Sequence, residues 1–206
     1  SAILQIAGTN LSREPSASAT RFAVELAHKC GNQIVLDLDF RPDQWIDARF
    51  FGSSIRSLLP FIDVVIGTED EINASMIDDV ELINLTHSQV SDARVAGETS
   101  ENIERILKCG AGLVVEKCGE HGCRIHHLEK DVMEVPGFPV EVQNILGAGD
   151  AFAGGFLYGY CQGMDLYKAA RIGNGCGAIV VTRHACSASM PKYKELMDFV
   201  EQHGGL

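Results

Sequence analysis

The sequence lacks several features that would assign it to common classes. No apolar run approaches the roughly 18 residues of a membrane span, and no signal peptide is visible. No Gly-x-x-x-x-Gly-Lys-Ser/Thr segment occurs, which excludes a P-loop enzyme. Positive charge is scarce: 17 lysines and arginines stand against 28 acidic residues, giving a net charge of −11. This charge argues against nucleic acid or an anionic membrane as a general partner.

Length and composition are those of a soluble globular protein. The chain has 206 residues, of which 46% are hydrophobic and 22% charged, enough for one domain with a sizeable core. Its seven cysteines are odd in number and stand mostly in apolar segments. We therefore expect reduced cysteines and a cytoplasmic protein.

Hydrophobic periodicity predicts alternating strands and helices. Strands are predicted at residues 2–7, 33–38, 63–66, 113–116, 123–126 and 140–142. Helices are predicted at 19–30, 45–59, 69–76, 101–109, 150–162, 165–182 and 192–203, with an irregular polar loop containing some helix at 78–100. This alternation is typical of an α/β fold whose mostly parallel sheet is covered on both faces.

The most informative segment is Asn144–Phe152, which predicts a tight glycine loop that opens directly into a buried helix. Unpaired N–H groups at a helix start bind anions, and glycines let that backbone approach a phosphate. Asp150 would then accept a proton from an attacking hydroxyl. The alternative is a helix-packing loop with a capping aspartate. A dinucleotide fingerprint fits less well, because Phe152 stands where its third glycine should be.

This segment resembles the signature of the PfkB sugar kinases, which have the ribokinase-like fold. The resemblance implies a three-layer αβα architecture, with Asp150 as catalytic base and Gly147, Ala148 and Gly149 as the anion hole for the transferred phosphoryl group. ATP and Mg²⁺ are the implied cofactors. Ile145 replaces a hydroxyl residue that helps some relatives to hold a monovalent cation, which leaves activation by such a cation open.

A second segment, Asp37–Trp45, is similar to a pattern in the family's kinases of keto-deoxy sugar acids. Strand alternation would put Asp37, Asp39 and Arg41 on one face, near the carboxyl end of a strand. The resemblance implies that Asp39 and Arg41 contact the substrate or a phosphate, since a guanidinium suits two-oxygen contacts. A structural Asp–Arg pair is the alternative. The segment favours 5-dehydro-2-deoxygluconate as acceptor, with 2-keto-3-deoxygluconate or fructose as alternatives.

Three further segments resemble the nucleotide side of these kinases. Thr68 and Glu71 stand where the family has its Asn-x-x-Glu motif, so Glu71 is expected to hold Mg²⁺ through water; an acidic first helical turn is the alternative. The Gly-x-x-Gly hairpin beside the nucleotide corresponds to Lys117, Gly119 and Gly122. Asn174 corresponds to a contact of the adenine-side helix, although helix packing explains it about equally well.

A zinc site is a weaker alternative for the hairpin. Its candidate ligands are Cys118, His121, Cys123 and His126. Their spacing is not that of a zinc knuckle, and so short a hairpin could not easily turn all four side chains inward.

The resemblance covers residues 1–206 but only the later part of the family. We expect a PfkB-type kinase domain that lacks the N-terminal strands and the β lid, and whose full-length form is a homodimer. Three hypotheses remain: a sugar kinase binding ATP and a small sugar, a truncated nucleotide-binding module without turnover, and a kinase of the same fold acting on another small molecule. A nucleic acid or membrane partner is not expected.

Overall fold

The computed structural model describes residues 2–77, 81, 83–85 and 93–206. The chain divides into two compact units. The first contains the residues up to Lys117 together with Ile125–Val132, and the second contains Cys118–Arg124 and Met133–Leu206. None of the described helices is long and apolar enough to cross a membrane.

Four parallel strands form the centre of the first unit. In spatial order they are β1 (Ile3–Ala7), β2 (Gln33–Asp37), β3 (Val64–Thr68) and β6 (Leu113–Lys117). All but the first are rich in fully buried valine, isoleucine and leucine, as strands covered on both faces must be. The four strands therefore end at one edge of the sheet, where ligands of open α/β sheets bind.

The helices of the first unit follow the predicted order. They are α1 (Ser16–Lys29), α2 (Ala48–Leu58), α3 (Glu69–Ser75) and α4 (Thr99–Lys108). The prediction that α2 begins near Trp45 is wrong by three residues. The chain is still extended at Asp47, whose side chain accepts a hydrogen bond from the Arg49 N–H and caps the helix.

The irregular loop predicted at 78–100 contains two short strands. Strand β4 (Ile83–Leu85) pairs in antiparallel fashion with β5 (Ala93–Val95), and α4 begins at Thr99. Each strand has only three residues, too few to produce a recognisable alternation. The remainder of the predicted loop at 78–80, 82 and 86–92 lies outside the described residues.

The second unit is mainly helical. Its helices are α5 (Ala148–Cys161), α6 (Leu166–Val181) and α7 (Tyr193–Gln202), each within two residues of its predicted bounds. Helices α5 and α6 pack closely because glycines face the partner. A Cβ at Gly155 would lie 2.7 Å from the Cys176 sulfur, and one at Gly173 would lie 2.9 Å from the Phe152 carbonyl oxygen.

The strand predicted at 140–142 is wrong. Strand β7 (Cys123–His126) matches its prediction and contains residues of both units, but the next strand is β8 (Met133–Val135). After residue 142 the N–H groups of Gln143 and Asn144 both donate to the Val181 carbonyl oxygen, at 2.8 and 3.1 Å. The backbone at residues 143–144 therefore donates to a carbonyl at the C-terminal end of α6, which has no partner within the helix, instead of joining a sheet.

Candidate active site

A buried ionic cluster lies at the carboxyl ends of the strands in the first unit. The Lys117 Nζ is 3.3 Å from the Asp37 Oδ1 and 3.3 Å from the Glu71 Oε2. Lys117 ends β6, Asp37 ends β2, and Glu71 is in the first turn of α3 directly after β3. The side chains of Asp37, Lys117 and Glu71 are 9%, 13% and 17% exposed. We call these three residues the strand-end cluster.

Burial and mutual attraction set the charges of this cluster. Burial raises the pKa of Asp37 to about 6; Lys117 opposes this shift, whereas the negative charges of Glu71 and Asp39 add to it. Burial alone would lower the pKa of Lys117, but attraction to Glu71 and Asp37 outweighs it and raises this pKa above its ordinary range. Lys117 therefore remains a cation at neutral pH.

Thr68 and Glu71 form a capping box at the start of α3. The Thr68 N–H donates to the Glu71 Oε2 at 2.7 Å, and the Glu71 N–H donates to the Thr68 Oγ1 at 3.4 Å. Such reciprocal bonds satisfy two backbone donors at a helix start. The acidic first turn that formed the alternative interpretation is present, with Glu69, Asp70 and Glu71. The predicted contacts of Thr68 and Glu71 with ATP and Mg²⁺ stay predictions.

Asp39 and Arg41 form a pair just beyond β2. The Arg41 Nε donates to the Asp39 Oδ1 at 3.0 Å, and their side chains are 38% and 27% exposed. The predicted strand alternation through Arg41 is wrong, because β2 ends at Asp37 and Asp39 has a φ of +37°. This left-handed conformation turns the backbone out of the strand. The Asp–Arg pair of the alternative interpretation is present, and substrate contacts of both residues stay predictions.

The glycine loop in the second unit has a geometry fixed by local hydrogen bonds. The Asn144 Oδ1 accepts from the Leu146 N–H at 3.0 Å, and the Ile145 carbonyl accepts from the Ala148 N–H at 3.2 Å. Gly147, with a φ of +83°, is the N-cap of α5. A Cβ there would lie 2.6 Å from the Cys186 sulfur, so both its conformation and its neighbour require glycine.

The loop leaves donors and a carboxylate accessible at the start of α5. Within the described part of the chain, the N–H groups of Gly149 and Asp150 donate no hydrogen bond. The Asp150 side chain belongs to an exposed residue in the first helical turn. Unpaired N–H groups at a helix start favour an anion, and a carboxylate beside them can accept a proton.

The glycine hairpin is held against the segment after β8. The Cys118 N–H donates to the Gly122 carbonyl at 2.7 Å, and both Gly119 and Gly122 have positive φ values, +59° and +95°. A Cβ at Gly122 would lie 2.2 Å from the Val135 carbonyl oxygen. Among the described residues no atom lies within 4 Å of a Cβ added at Gly119, so its positive φ alone is the reason for glycine there.

Asn174 is buried and anchors that same segment. Its Nδ2 donates to the carbonyls of Val135 and Pro136 at 3.1 and 3.0 Å. Sequence reasoning missed its neighbour Arg171, which donates to the Pro136 carbonyl at 2.8 Å and lies over the Phe138 ring. The available signal was an arginine among the small and apolar residues in the middle of α6. The structure thus gives Asn174 the helix-packing role of the alternative interpretation, and its adenine contact stays a prediction.

The described residues contain no group of three or more histidine, cysteine or acidic side chains arranged to hold a metal ion. Among the residues considered for zinc, the His126 Nε2 lies 2.9 Å from the Glu116 Oε2. Mg²⁺ needs fewer protein ligands than zinc, since it keeps several waters and takes the rest from phosphate. Glu71 fits such a role, because its Oε1 has no hydrogen bond or ion pair to the part of the chain that is described.

The predicted site residues fall into two groups. In the first unit the structure brings Glu71 and Thr68 together with Lys117, which is bound in turn to Asp37. In the second unit the loop residues 147–150 are continuous, and Gly122 and Asn174 both contact residues 135–136.

The family comparison agrees with these features. The model of the "pfkB family carbohydrate kinase" matches residues 1–193. The chain belongs to the pfkB family of carbohydrate kinases. Among curated relatives, the 5-dehydro-2-deoxygluconokinase of Bacillus licheniformis is 30% identical over 97% of this chain and 57% of the relative. That of Photobacterium profundum is 31% identical over 98% of this chain and 57% of the relative. The chain therefore spans a little over half the length of these relatives.

Solved structures show the same architecture, a ribokinase-like three-layer α/β fold with a mostly parallel sheet. Aminoimidazole riboside kinase from Salmonella enterica, complexed with aminoimidazole riboside and an ATP analogue, matches with a TM-score of 0.80 and 19% identity, over 96% of this chain and 62% of that chain. A proposed ribokinase II from E. coli, in complex with ATP and Mg²⁺, matches with a TM-score of 0.82 and 22% identity, over 98% of this chain and 59% of that chain.

Proposed function

We propose that this chain is the catalytic part of an ATP-dependent carbohydrate kinase that acts in the cytoplasm. The observation that carries the proposal is the glycine loop, where the N–H groups of Gly149 and Asp150, which have no partner among the described residues, stand beside the exposed Asp150 carboxylate. Membership of the pfkB family supports it. The chain spans 57% of its relatives' length, so the activity of the whole protein is part of the proposal.

In this mechanism Asp150 removes the proton of a hydroxymethyl group as that oxygen attacks the γ-phosphorus of ATP. The bond from the γ-phosphorus to the bridging oxygen breaks, and ADP leaves. Backbone N–H groups of the loop 147–149 stabilise charge on the transferred phosphoryl group; the Ala148 N–H would exchange its bond to the Ile145 carbonyl for the phosphoryl oxygen. Glu71 would hold Mg²⁺ through water, and the ion would neutralise phosphate charge.

The acceptor we propose is 5-dehydro-2-deoxygluconate. Two curated relatives with about 30% identity are named as kinases of this sugar acid. Arg41 and Asp39 are the proposed sugar or phosphate contacts, and their partly exposed side chains are accessible at the carboxyl edge of the sheet. Lys117, Gly119, Gly122, Asn174 and Thr68 remain the proposed residues of the nucleotide site. 2-Keto-3-deoxygluconate and fructose are the alternative acceptors.

ATP consumption with a panel of these sugars tests the proposal, using this chain and a version lengthened to the size of the relatives. We expect turnover with 5-dehydro-2-deoxygluconate in the longer version, with the other acceptors at least tenfold slower. No turnover with any sugar in either version would refute the kinase assignment.

A second candidate is a nucleotide-binding module without turnover. The observation that favours it is the length of the chain, a little over half that of its relatives. It predicts that this chain binds ATP, measured by calorimetry, and that no sugar accelerates ATP consumption by it. Turnover by this chain alone would exclude this candidate.

A further inference from the structure

The Lys117 ammonium joins two carboxylates that come from different elements, Asp37 from β2 and Glu71 from the first turn of α3. It is 3.3 Å from Asp37 at the end of β2 and 3.3 Å from Glu71, which follows β3. We propose that Lys117 is a positioning residue, which fixes the Glu71 carboxylate in the orientation that receives the hydrated magnesium–nucleotide complex. The proposal rests on the proposed kinase function, and it gives Lys117, named above among the proposed residues of the nucleotide site, a role that acts through Glu71.

One oxygen of the Glu71 carboxylate is fully engaged. Its Oε2 accepts from the Thr68 N–H at 2.7 Å and lies 3.3 Å from the Lys117 Nζ. Two donors on the same oxygen fix the plane of the carboxylate. Its Oε1 has no partner among the described residues, and the side chain is 17% exposed, so this oxygen is left for a water of the metal shell.

The charges of the strand-end cluster also determine where the Glu71 side chain lies. Asp37 and Glu71 are both acidic and both bound to the same ammonium, and their side chains are 9% and 17% exposed. Without a cation between them, like-charge repulsion in a poorly hydrated site would drive the Glu71 side chain away from Asp37. Lys117 therefore both neutralises the repulsion and holds Glu71 at the strand end.

A purely structural ion cluster would have different consequences. Asp37→Asn and Lys117→Gln each break an ion pair of the same ammonium, so a structural role predicts that both change stability and neither changes metal affinity. Positioning predicts an asymmetry, because Asp37→Asn leaves the contact between Lys117 and Glu71 in place whereas Lys117→Gln removes it.

The experiment is a titration of Mn²⁺ into the protein with a non-hydrolysable ATP analogue, with free Mn²⁺ measured by electron paramagnetic resonance. Loss of a residue that orients a metal-binding carboxylate typically weakens metal affinity by about 10- to 100-fold. We expect Lys117→Gln to weaken nucleotide-dependent Mn²⁺ binding at least about tenfold. Asp37→Asn should change it by less than about twofold. Equal shifts in the two variants, or no shift in Lys117→Gln, would overturn the positioning role.

Lys117→Gln leaves two buried carboxylates without their cation and can fail to fold for that reason. The double variant Asp37→Asn/Lys117→Gln replaces one acid and the ammonium by amides and avoids that problem. It should bind Mn²⁺ as weakly as we expect of Lys117→Gln, and wild-type affinity in it would overturn the proposal. A wild-type protein that binds no Mn²⁺ with the nucleotide would refute the proposed function itself.

Discussion

The two units of the chain use acidic residues in opposite ways. In the strand-end cluster, Asp37 is buried and paired with Lys117, and its pKa is raised by that burial. In the glycine loop, Asp150 is exposed at the start of α5, beside backbone donors that have no partner in the described chain. A paired, buried acid stabilises a geometry, whereas an accessible acid beside free donors can exchange a proton with a substrate.

The largest effect is expected from Asp150→Asn, which removes the proposed base and keeps the size of the side chain. General base catalysis contributes roughly 10²- to 10⁴-fold, so kcat should fall by about that factor. Steady-state ATP consumption measures kcat, in this chain or in the lengthened version, whichever shows turnover. Asp198→Asn, an exposed acid on α7 of the same unit, is the matched control and should leave kcat unchanged. A decrease in kcat of less than about tenfold in Asp150→Asn would argue against Asp150 as the catalytic base.

Gly147→Ala tests whether the loop depends on its backbone conformation. Alanine at a φ of +83° costs about 1–2 kcal/mol, and its Cβ would collide with the Cys186 sulfur at 2.6 Å. We expect the free energy of unfolding in denaturant to fall by about 2–4 kcal/mol.

Gly154→Ala in the same helix is the control, since beyond its own helical turns no atom of the described residues lies within 4 Å of its added Cβ. It should stabilise the helix by about 0.5–1 kcal/mol. Equal decreases in the free energy of unfolding for Gly147→Ala and Gly154→Ala would show that position 147 does not specifically require glycine.

Asp37→Asn tests whether the burial of the Asp37 carboxylate lowers the free energy of unfolding at neutral pH. The pKa of Asp37 is raised from 3.8 to about 6 in the folded chain, so the folded state binds more protons than the unfolded state between these pH values. Wild-type stability should therefore fall as the pH rises from 4 to 7, by on the order of 1–3 kcal/mol relative to Asp37→Asn. Denaturant unfolding at both pH values measures the difference. A difference that is independent of pH would contradict the raised pKa.

The smallest effect is expected from Thr68→Ala, which removes the side-chain acceptor of the capping box. Loss of such a cap costs about 1 kcal/mol of unfolding free energy, and Thr68→Ser should recover most of it. The KM for ATP separates the two interpretations of this residue. An unchanged KM in Thr68→Ala supports capping alone, whereas a raised KM that serine restores supports the predicted nucleotide contact.

Sequence reasoning was accurate where the signal was local. The run Val64–Ile66 predicts its strand because β-branched residues fill it, and Gly147 predicts the loop because only glycine adopts its backbone conformation readily. The resemblance of Asn144–Phe152 to the family signature led to the family that the comparison then showed.

Long-range pairing could not be predicted in the same way. Lys117 binds Asp37, 80 positions earlier, and nothing in the local pattern of either residue specifies that contact. The engagement of Asn174 with Val135 and Pro136 is equally remote in sequence. Two alternating valines at 140 and 142 favour a strand, but the backbone N–H groups that follow, of Gln143 and Asn144, donate to Val181 instead of to a neighbouring strand.

One paired measurement tests the contrast between the two acids most directly: kcat and the free energy of unfolding for Asp150→Asn and Asp37→Asn at pH 7. We predict that Asp150→Asn loses roughly 10²- to 10⁴-fold in kcat with unchanged stability. Asp37→Asn should retain kcat within about tenfold while its stability changes relative to wild type. Turnover that survives Asp150→Asn, together with turnover abolished by Asp37→Asn, would contradict the account.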